Sequence, residues 1–177
     1  ALHRLQAHQG IVLEVAWAPQ GNLLASAGGD GAIRLWNGAS GNELRTFLGH
    51  SGLITALDWS ANGTRLASAG EDSTIRIWDV ANGNELRRLE GHTGLVAGAQ
   101  WPGDGRHLIS AGEDGVVRRW DAVAGEALQS WPLHQAPVNT VAWSPDGRQL
   151  ALGGTDHAVR IWQLAAEGND TEPTVLL

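Results

Sequence analysis

Residues 53–91 have the sequence LITALDWSANGTRLASAGEDSTIRIWDVANGNELRRLEG, which alternates apolar runs with turn-forming clusters. It holds four short runs with apolar and β-branched residues, which are LITALDWS, RLASAG, TIRIWDV and ELRRLEG. The turn-forming clusters ANG, EDS and ANGN separate them. Such runs between Gly, Asn and Asp clusters predict β-strands joined by tight turns, and no helical period is sustained. Four short antiparallel strands are the size of one propeller blade.

The same pattern repeats along the chain at a spacing of 42 residues, and residues 8–49 match residues 50–91 at 20 of 42 positions without a gap. Two tryptophan series, one histidine series and one aspartate series keep this register: Trp36, Trp78, Trp120 and Trp162; Trp17, Trp59, Trp101 and Trp143; His8, His50, His92 and His134; Asp30, Asp72, Asp114 and Asp156. A fixed period of this length indicates a repeat architecture. We therefore treat residues 1–177 as one repeat domain, with repeats at 8–49, 50–91, 92–133 and 134–177, the last including the C-terminal tail.

Composition narrows the classes of function. The chain carries a net charge of −7, which argues against general binding to nucleic acid or to an anionic membrane. It has no cysteine, so neither a disulfide nor a thiolate metal site can form. No apolar run is long enough to span a bilayer and no signal peptide is recognisable, so we expect a cytoplasmic location.

Two dipeptide pairs carry a resemblance to a known family. Gly49-His50 and Gly91-His92, followed by Trp78-Asp79 and Trp120-Asp121, resemble the GH…WD signature of WD40 repeats. The segment SPDGRQLALGGTDHAVRIW also resembles that family. Four signature positions depart from it: Ala7 and Leu133 replace the glycine, and Asn37 and Gln163 replace the aspartate. The resemblance implies an all-β fold of four four-stranded antiparallel WD40 β-propeller blades.

The resemblance also implies a hydrogen-bonded tetrad of His, Ser, Asp and Trp in each blade. The matching sets are His8, Ser26, Asp30 and Trp36; His50, Ser68, Asp72 and Trp78; and His92, Ser110, Asp114 and Trp120. The fourth repeat has His134, Asp156 and Trp162, but Leu152 replaces the serine. Since a leucine cannot connect the imidazole to the indole, we expect the fourth network to be broken and the fourth blade to be the weakest.

A Ser, His and Asp in one repeat also suggest a catalytic triad, and four histidines suggest a metal site. The triad residues recur in three copies, whereas catalysis needs one copy beside an oxyanion hole. The histidines occupy equivalent positions in different blades, too dispersed to share one ion. We therefore predict a structural role for the tetrads, no catalytic residue, no metal, no cofactor and no enzyme activity.

Closure of the propeller is open to three interpretations. The end blades keep apolar core positions, because Leu24, Ile33 and Leu35 of the first repeat match Leu150, Val159 and Ile161 of the last. An open array would leave these faces in water, and WD40 rings usually have seven or eight blades. We favour a homodimer that closes as one eight-bladed ring. The alternatives are a fragment of a longer protein and a closed four-bladed monomer.

The four strands of a blade are lettered a to d in chain order, and either terminus could supply the outer strand d of the last blade. Residues 1–7 align with residues 43–49 in the 42-residue register, and in the family the N-terminal segment often provides this strand. The C-terminal Thr174-Val175-Leu176-Leu177 is a competing candidate. We predict that residues 1–7 form the strand, in the same chain or in a partner.

The predicted function is a WD40-type scaffold that binds a protein or peptide. In the family, partners dock on the face formed by the d–a loops and b–c turns. The residues expected on that face are Ile11, Leu13, Leu53, Thr55, Glu71, Leu95, Ala97, Glu113, Pro137 and Asn139. They are mostly apolar with an acidic component, which favours a basic partner with apolar anchors. The alternative is a structural self-assembling propeller fragment, or an engineered repeat array, without a specific ligand.

Overall fold

A computed structural model describes residues 3–6, 8–132, 136–144, 148–163 and 174–176 of this chain. Its strands form four four-stranded antiparallel sheets in chain order. Blade 1 comprises β1 (Val12–Trp17), β2 (Leu23–Gly28), β3 (Ala32–Asn37) and β4 (Glu43–Leu48). Blade 2 comprises β5 (Ile54–Trp59), β6 (Arg65–Gly70), β7 (Thr74–Asp79) and β8 (Glu85–Glu90). Blade 3 comprises β9 (Val96–Gln100), β10 (His107–Gly112), β11 (Val117–Asp121) and β12 (Glu126–Trp131). Blade 4 comprises β13 (Val138–Trp143), β14 (Gln149–Gly154), β15 (Val159–Gln163) and β16 (Thr174–Leu176).

This architecture confirms the prediction of an all-β fold with four four-stranded antiparallel blades. The described residues contain no helix. Among them, no segment forms a helix long and apolar enough to cross a bilayer. The cytoplasmic location stays a prediction.

A glycine at the end of each second strand shapes the loop above it. In blade 2 the β5–β6 register shifts between Ile54 and Ala56, opposite Gly70. A Cβ atom on Gly70 would overlap the carbonyl oxygen of Leu53, so this close approach requires glycine. The bulge brings the loop before β5 over the b–c turn, where the backbone N–H of Glu71 donates to Leu53 O at 2.9 Å.

The hydrophobic core lies between blades. Three buried clusters join blade 1 to blade 2, blade 2 to blade 3, and blade 3 to blade 4. In the first cluster, Ile33 and Phe47 of blade 1 pack against Trp59 and Leu66 of blade 2. The four blades form an open array, and the eight-bladed ring therefore remains a proposal.

The fourth strand of blade 4 is formed by the C-terminal segment. β16 pairs with β15 through Ile161, Trp162 and Gln163, whereas residues 3–6 form no strand. The assignment of residues 1–7 to this position, in the same chain or in a partner, stays a prediction. In the open array the described N-terminal residues lie against blade 1, where His3 Nε2 is 3.0 Å from Ala39 O, and β16 pairs with β15 on the side opposite β14.

Candidate functional site

The network of blade 2 joins four side chains in one chain of hydrogen bonds. Trp78 Nε1 donates to Ser68 Oγ at 2.8 Å. Because that oxygen accepts from the indole, the serine proton is free to go to His50 Nε2, 2.8 Å away. An unprotonated Nε2 places the imidazole proton on Nδ1, which donates to Asp72 Oδ1 at 2.9 Å. This order of donors requires a neutral histidine.

Blades 1 and 3 repeat the same geometry. His8 Nδ1 is 2.9 Å from Asp30 Oδ1, His8 Nε2 is 2.7 Å from Ser26 Oγ, and Trp36 Nε1 donates to Ser26 Oγ at 2.8 Å. In blade 3 the distances are 3.0 Å for His92 Nδ1 to Asp114 Oδ1, 2.7 Å for His92 Nε2 to Ser110 Oγ, and 2.8 Å for Trp120 Nε1 to Ser110 Oγ. The structure thus brings together all four members of the first three predicted sets.

Burial sets the charge states in these networks. It lowers the pKa of His50 and of His92, because water no longer stabilises an imidazolium there. Burial alone would raise the pKa of Asp72, but hydrogen bonds from His50 and Thr74 outweigh it and hold the pKa at about 2. The networks of blades 2 and 3 therefore combine a neutral imidazole with a carboxylate, in agreement with the donor order of blade 2.

In every blade an arginine forms an ion pair with the tetrad aspartate, and this arginine was not among the residues predicted from the sequence. Arg76 Nη2 lies 3.4 Å from Asp72 Oδ2, and its Nη1 lies 2.5 Å from Glu85 Oε2. The equivalent arginines, which also form ion pairs with the tetrad aspartates, are Arg34, Arg118 and Arg160. These residues share the 42-residue spacing, so the signal was present in the sequence. A guanidinium neutralises the buried carboxylate that a neutral histidine cannot.

The arginine also explains the glycine of the GH pair. A Cβ atom on Gly49 would lie 2.7 Å from Arg76 Nη1 and 2.9 Å from the Trp78 ring. The loop before His50 therefore passes so close to the network that a side chain would displace it. Ala7 and Leu133, which replace this glycine in the first and last repeats, lie outside the described residues.

The fourth blade has an incomplete network. Leu152 is buried at the serine position, and Trp162 Nε1 is buried without a hydrogen-bond partner among the described residues. Asp156 and Arg160 form an ion pair at 2.5 Å, but the Asp156 side chain is 28% exposed, against 8% for Asp72. His134 lies outside the described residues. The geometry agrees with a weaker fourth blade, which stays a prediction.

The loops above the tetrads form a continuous face. One backbone hydrogen bond joins the d–a loop to the b–c turn in every blade: Gly29 N to Ile11 O, Glu71 N to Leu53 O, Glu113 N to Leu95 O, and Thr155 N to Pro137 O. Across the junction between blades 1 and 2, a Cβ atom on Gly29 would lie 3.5 Å from the Leu53 side chain, within van der Waals contact. The two rows of predicted face residues are therefore brought side by side.

Exposure on this face is uneven. Ile11, Leu13, Leu53, Glu71, Glu113, Pro137 and Asn139 are exposed, whereas Thr55, Leu95 and Ala97 are partly buried. Two polar groups already have partners: Thr55 Oγ1 donates to Val96 O at 2.5 Å, and Glu71 Oε2 accepts from Leu53 N at 3.1 Å. Glu71 therefore braces its loop as well as carrying charge.

The inner edge of the array adds one acidic group that the sequence analysis did not select. A cavity of about 130 Å³ is lined by Glu14 with Thr55, Ala97, Gln100 and Thr140. Burial raises the pKa of Glu14. Small side chains at the equivalent positions of blades 2 and 3, Ala56 and Gly98, leave room beside it. The acidic character of the face thus continues towards its centre.

Four antiparallel blades, three of them with a complete His–Ser–Asp–Trp network, define a β-propeller repeat protein. The chain belongs to the WD40 family: the family described as "WD domain, G-beta repeat" matches residues 1–37, 41–79, 83–121 and 125–163. Each matched segment begins ahead of a tetrad histidine and ends with the third strand of a blade. WD40 repeats are protein-interaction scaffolds and are generally non-catalytic.

Individual relatives match only parts of the chain. It is 52% identical over 44 residues to the "Probable cytosolic iron-sulfur protein assembly protein Ciao1" of Drosophila mojavensis, covering 25% of this chain and 13% of that protein. It is 44% identical over 48 residues to the "Denticleless protein homolog" of Danio rerio, covering 27% of this chain and 7% of that protein. The solved structure of U3-55K superposes with a TM-score of 0.83 at 24% identity, over 90% of this chain and 51% of that one. This likeness shows the fold.

Proposed function

We propose that this chain is a protein- or peptide-binding scaffold whose loop face takes a basic segment with an apolar anchor. The observation that supports the proposal is the exposure of Ile11, Leu13 and Leu53 on one face beside Glu71 and Glu113. Exposed apolar side chains grouped with like charges are a mark of an interaction site. Apolar anchors supply most of the affinity, while rim charges supply orientation and association rate.

The hydrogen bond that Glu71 accepts from the Leu53 N–H determines which substitution can test its charge. Replacing Glu71 by lysine would remove the acceptor of the Leu53 N–H as well as reversing the charge. Glu71→Gln keeps a carbonyl acceptor and removes only the charge. Combined with Glu113→Gln, it should weaken capture of basic peptides at low salt and have little effect at high salt, because salt already screens exposed charges.

The apolar anchor is tested by Leu53→Ser, which should weaken capture at any salt concentration. The matched control is Val123→Ser: Val123 is 48% exposed and lies in the turn between β11 and β12, away from this face. The probe is an array of lysine- and arginine-rich peptides with and without one leucine or phenylalanine. Retention of no peptide, or retention that survives both changes, would contradict the proposal.

The second candidate function is a structural unit that self-assembles without a ligand. It is supported by the apolar surface at both ends of the open array, where Trp17 and Val159 are exposed. Under this alternative the peptide array stays blank while the oligomeric state is well defined. In both cases we propose no enzyme activity and no cofactor, since the Ser, His and Asp residues are bonded to one another in repeated networks.

A further inference from the structure

One face of β1 is exposed at positions that are buried in the blades that follow. Trp17 is 61% exposed, whereas Trp59, at the same position in blade 2, is 6% exposed. Val15 is 58% exposed, against 8% for Leu57. The difference comes from the neighbour: β5 is covered by blade 1, and nothing in the described chain occupies the corresponding place beside β1. This face carries the apolar side chains of a blade junction, but no blade packs against it in the described chain.

The opposite end has the complementary surface. Val159 of β15 is 76% exposed, whereas Ile33, Ile75 and Val117 at the same register are fully buried. Ile161 is also exposed, while Ile77 at its register is buried. These side chains face outward from blade 4 where the internal blades contact the next one.

The N-terminal segment lies where the outer strand of a preceding blade belongs. At the internal junctions, a residue of the outer strand bonds to the c–d turn of the next blade: Arg45 Nη2 donates to Ala81 O at 2.7 Å, and Arg87 Nε donates to Val123 O at 2.9 Å. His3 Nε2 makes the equivalent contact with Ala39 O at 3.0 Å. His3 precedes Arg45 by the repeat spacing, as Arg45 precedes Arg87.

The present outer strand of blade 4, β16, pairs with three of the five residues of β15. The pairs are with Ile161, Trp162 and Gln163, and no residue of the described part of the chain pairs with Val159 from the outer side. In blade 1 the full strand β4 pairs along β3, from Ala32 to Trp36. By the same register Leu5 would lie opposite Val159, as Phe47 lies opposite Ile33.

We propose that the occupant of both end faces is a second copy of this chain, and that residues 1–7 of each copy replace β16 as the outer strand of the other copy's blade 4. The exposed face of β1 then packs against blade 4 of the second copy. Two identical junctions related by a two-fold axis bury both pairs of end faces and leave no blade uncovered. The product is one ring of eight blades.

The chemistry of the new junction matches a junction that already exists. Between blades 1 and 2, Trp59 Nε1 donates to Ala16 O at 3.0 Å. The closing junction would place Trp17 against Ala142 of the second copy, the alanine equivalent to Ala16. A second copy therefore offers the backbone carbonyl oxygen of Ala142 to the Trp17 indole N–H, and the side chains of Val159 and Ile161 to cover Val15.

The mass in solution tests the assembly. Light scattering of the 177-residue chain should give twice the chain mass of 18.7 kDa at micromolar concentration. Trp17→Arg and, at the other end face, Ile161→Arg should each halve this mass while the circular dichroism spectrum is retained. Val123→Arg, at a comparably exposed valine outside both end faces, should leave it unchanged.

Crosslinking tests the exchanged strand. The chain has no cysteine, so Leu5→Cys in one sample and Val159→Cys in another introduce the only thiols. A short bismaleimide should produce a band of twice the chain mass when the two samples are mixed, and little when either is treated alone. A mixture of Leu5→Cys with Val123→Cys is the control and should give no such band.

The mass and the crosslinking pattern test separate parts of the proposal. A monomer, or a series of masses beyond the dimer, would overturn the second copy as the occupant and point to further blades of a longer chain. A dimer that does not crosslink in the mixed sample would overturn the strand exchange. Neither measurement uses a ligand, so the outcome is independent of the peptide-binding proposal.

Discussion

Each tetrad side chain stabilises the fold through the buried donors and acceptors that it satisfies. The Asp72 carboxylate accepts from His50 and from the backbone N–H groups of Ser51 and Thr74, and it pairs with Arg76. A carboxylate with this many donors orients the loop, the turn and the third strand together. Removing the carboxylate would leave several buried donors without an acceptor at the same time, which would destabilise the fold.

Asp72→Ala should therefore lower the free energy of unfolding by about 1–3 kcal/mol. The control is Glu90→Ala, an exposed carboxylate of β8, which should change it by no more than about 0.5 kcal/mol. Urea denaturation followed by tryptophan fluorescence measures both. Equal shifts for the two variants would show that the network contributes no special stability.

The pH dependence of stability follows from the neutral histidines. Because burial lowers the pKa of His50 and His92 below the ordinary value of 6.5, the unfolded chain binds more protons than the folded chain just below that pH. The free energy of unfolding should therefore fall as pH falls below about 6.5. A second fall should occur below the ordinary aspartate pKa of 3.8, as Asp72, with its pKa of about 2, remains ionised only in the folded state.

Urea midpoints between pH 8 and pH 5 check the first fall. The double variant His50→Gln/His92→Gln, compared with the wild type at each pH, should show a smaller slope because two titrating groups are removed. A wild-type midpoint that rises as pH decreases through this range would mean that the histidines are charged in the folded state.

At the scale of the element, the blade was largely predictable from the sequence and its arginine was not. The period, the turn clusters and the tryptophan series identified strands a, b and c of every blade, because local chemistry recurs there in register. Arg76 was missed because an arginine in a strand is ordinarily a solvated residue, and only the fold shows it beside Asp72. Residues 1–7 were predicted as the outer strand of blade 4, whereas β16 pairs with β15 in the single chain, because register alone cannot decide between two termini that both fit.

Blade 4 should be the least protected element in hydrogen exchange. Leu152 breaks its network, and the indole N–H of Trp162 has no partner among the described residues. The indole N–H of Trp78, which donates to Ser68, should exchange much more slowly than that of Trp162. Nuclear magnetic resonance resolves these signals, assigned by Trp78→Phe and Trp162→Phe. Equal protection of the two would contradict a weak fourth blade.

Across the whole molecule, the two end faces carry apolar residues at register positions that are buried at the junction between blades 1 and 2. The sequence alone indicated this, since Val159 and Ile161 repeat Ile33 and Leu35. The structure adds the difference in exposure and the position of His3 against the c–d turn of blade 1. Stability of an open array then depends on whether its ends are covered.

If a second copy covers them, folding and association are coupled and thermal stability depends on protein concentration. The melting temperature of the wild type should rise over a hundredfold increase in concentration. That of Trp17→Arg should stay constant and lie below the wild-type value, because its end face is uncovered at every concentration. Val123→Arg should follow the wild type, since that side chain lies away from both end faces. Differential scanning fluorimetry across the dilution series measures all three, and a flat wild-type profile in the presence of a monomer mass would contradict closure by a second copy.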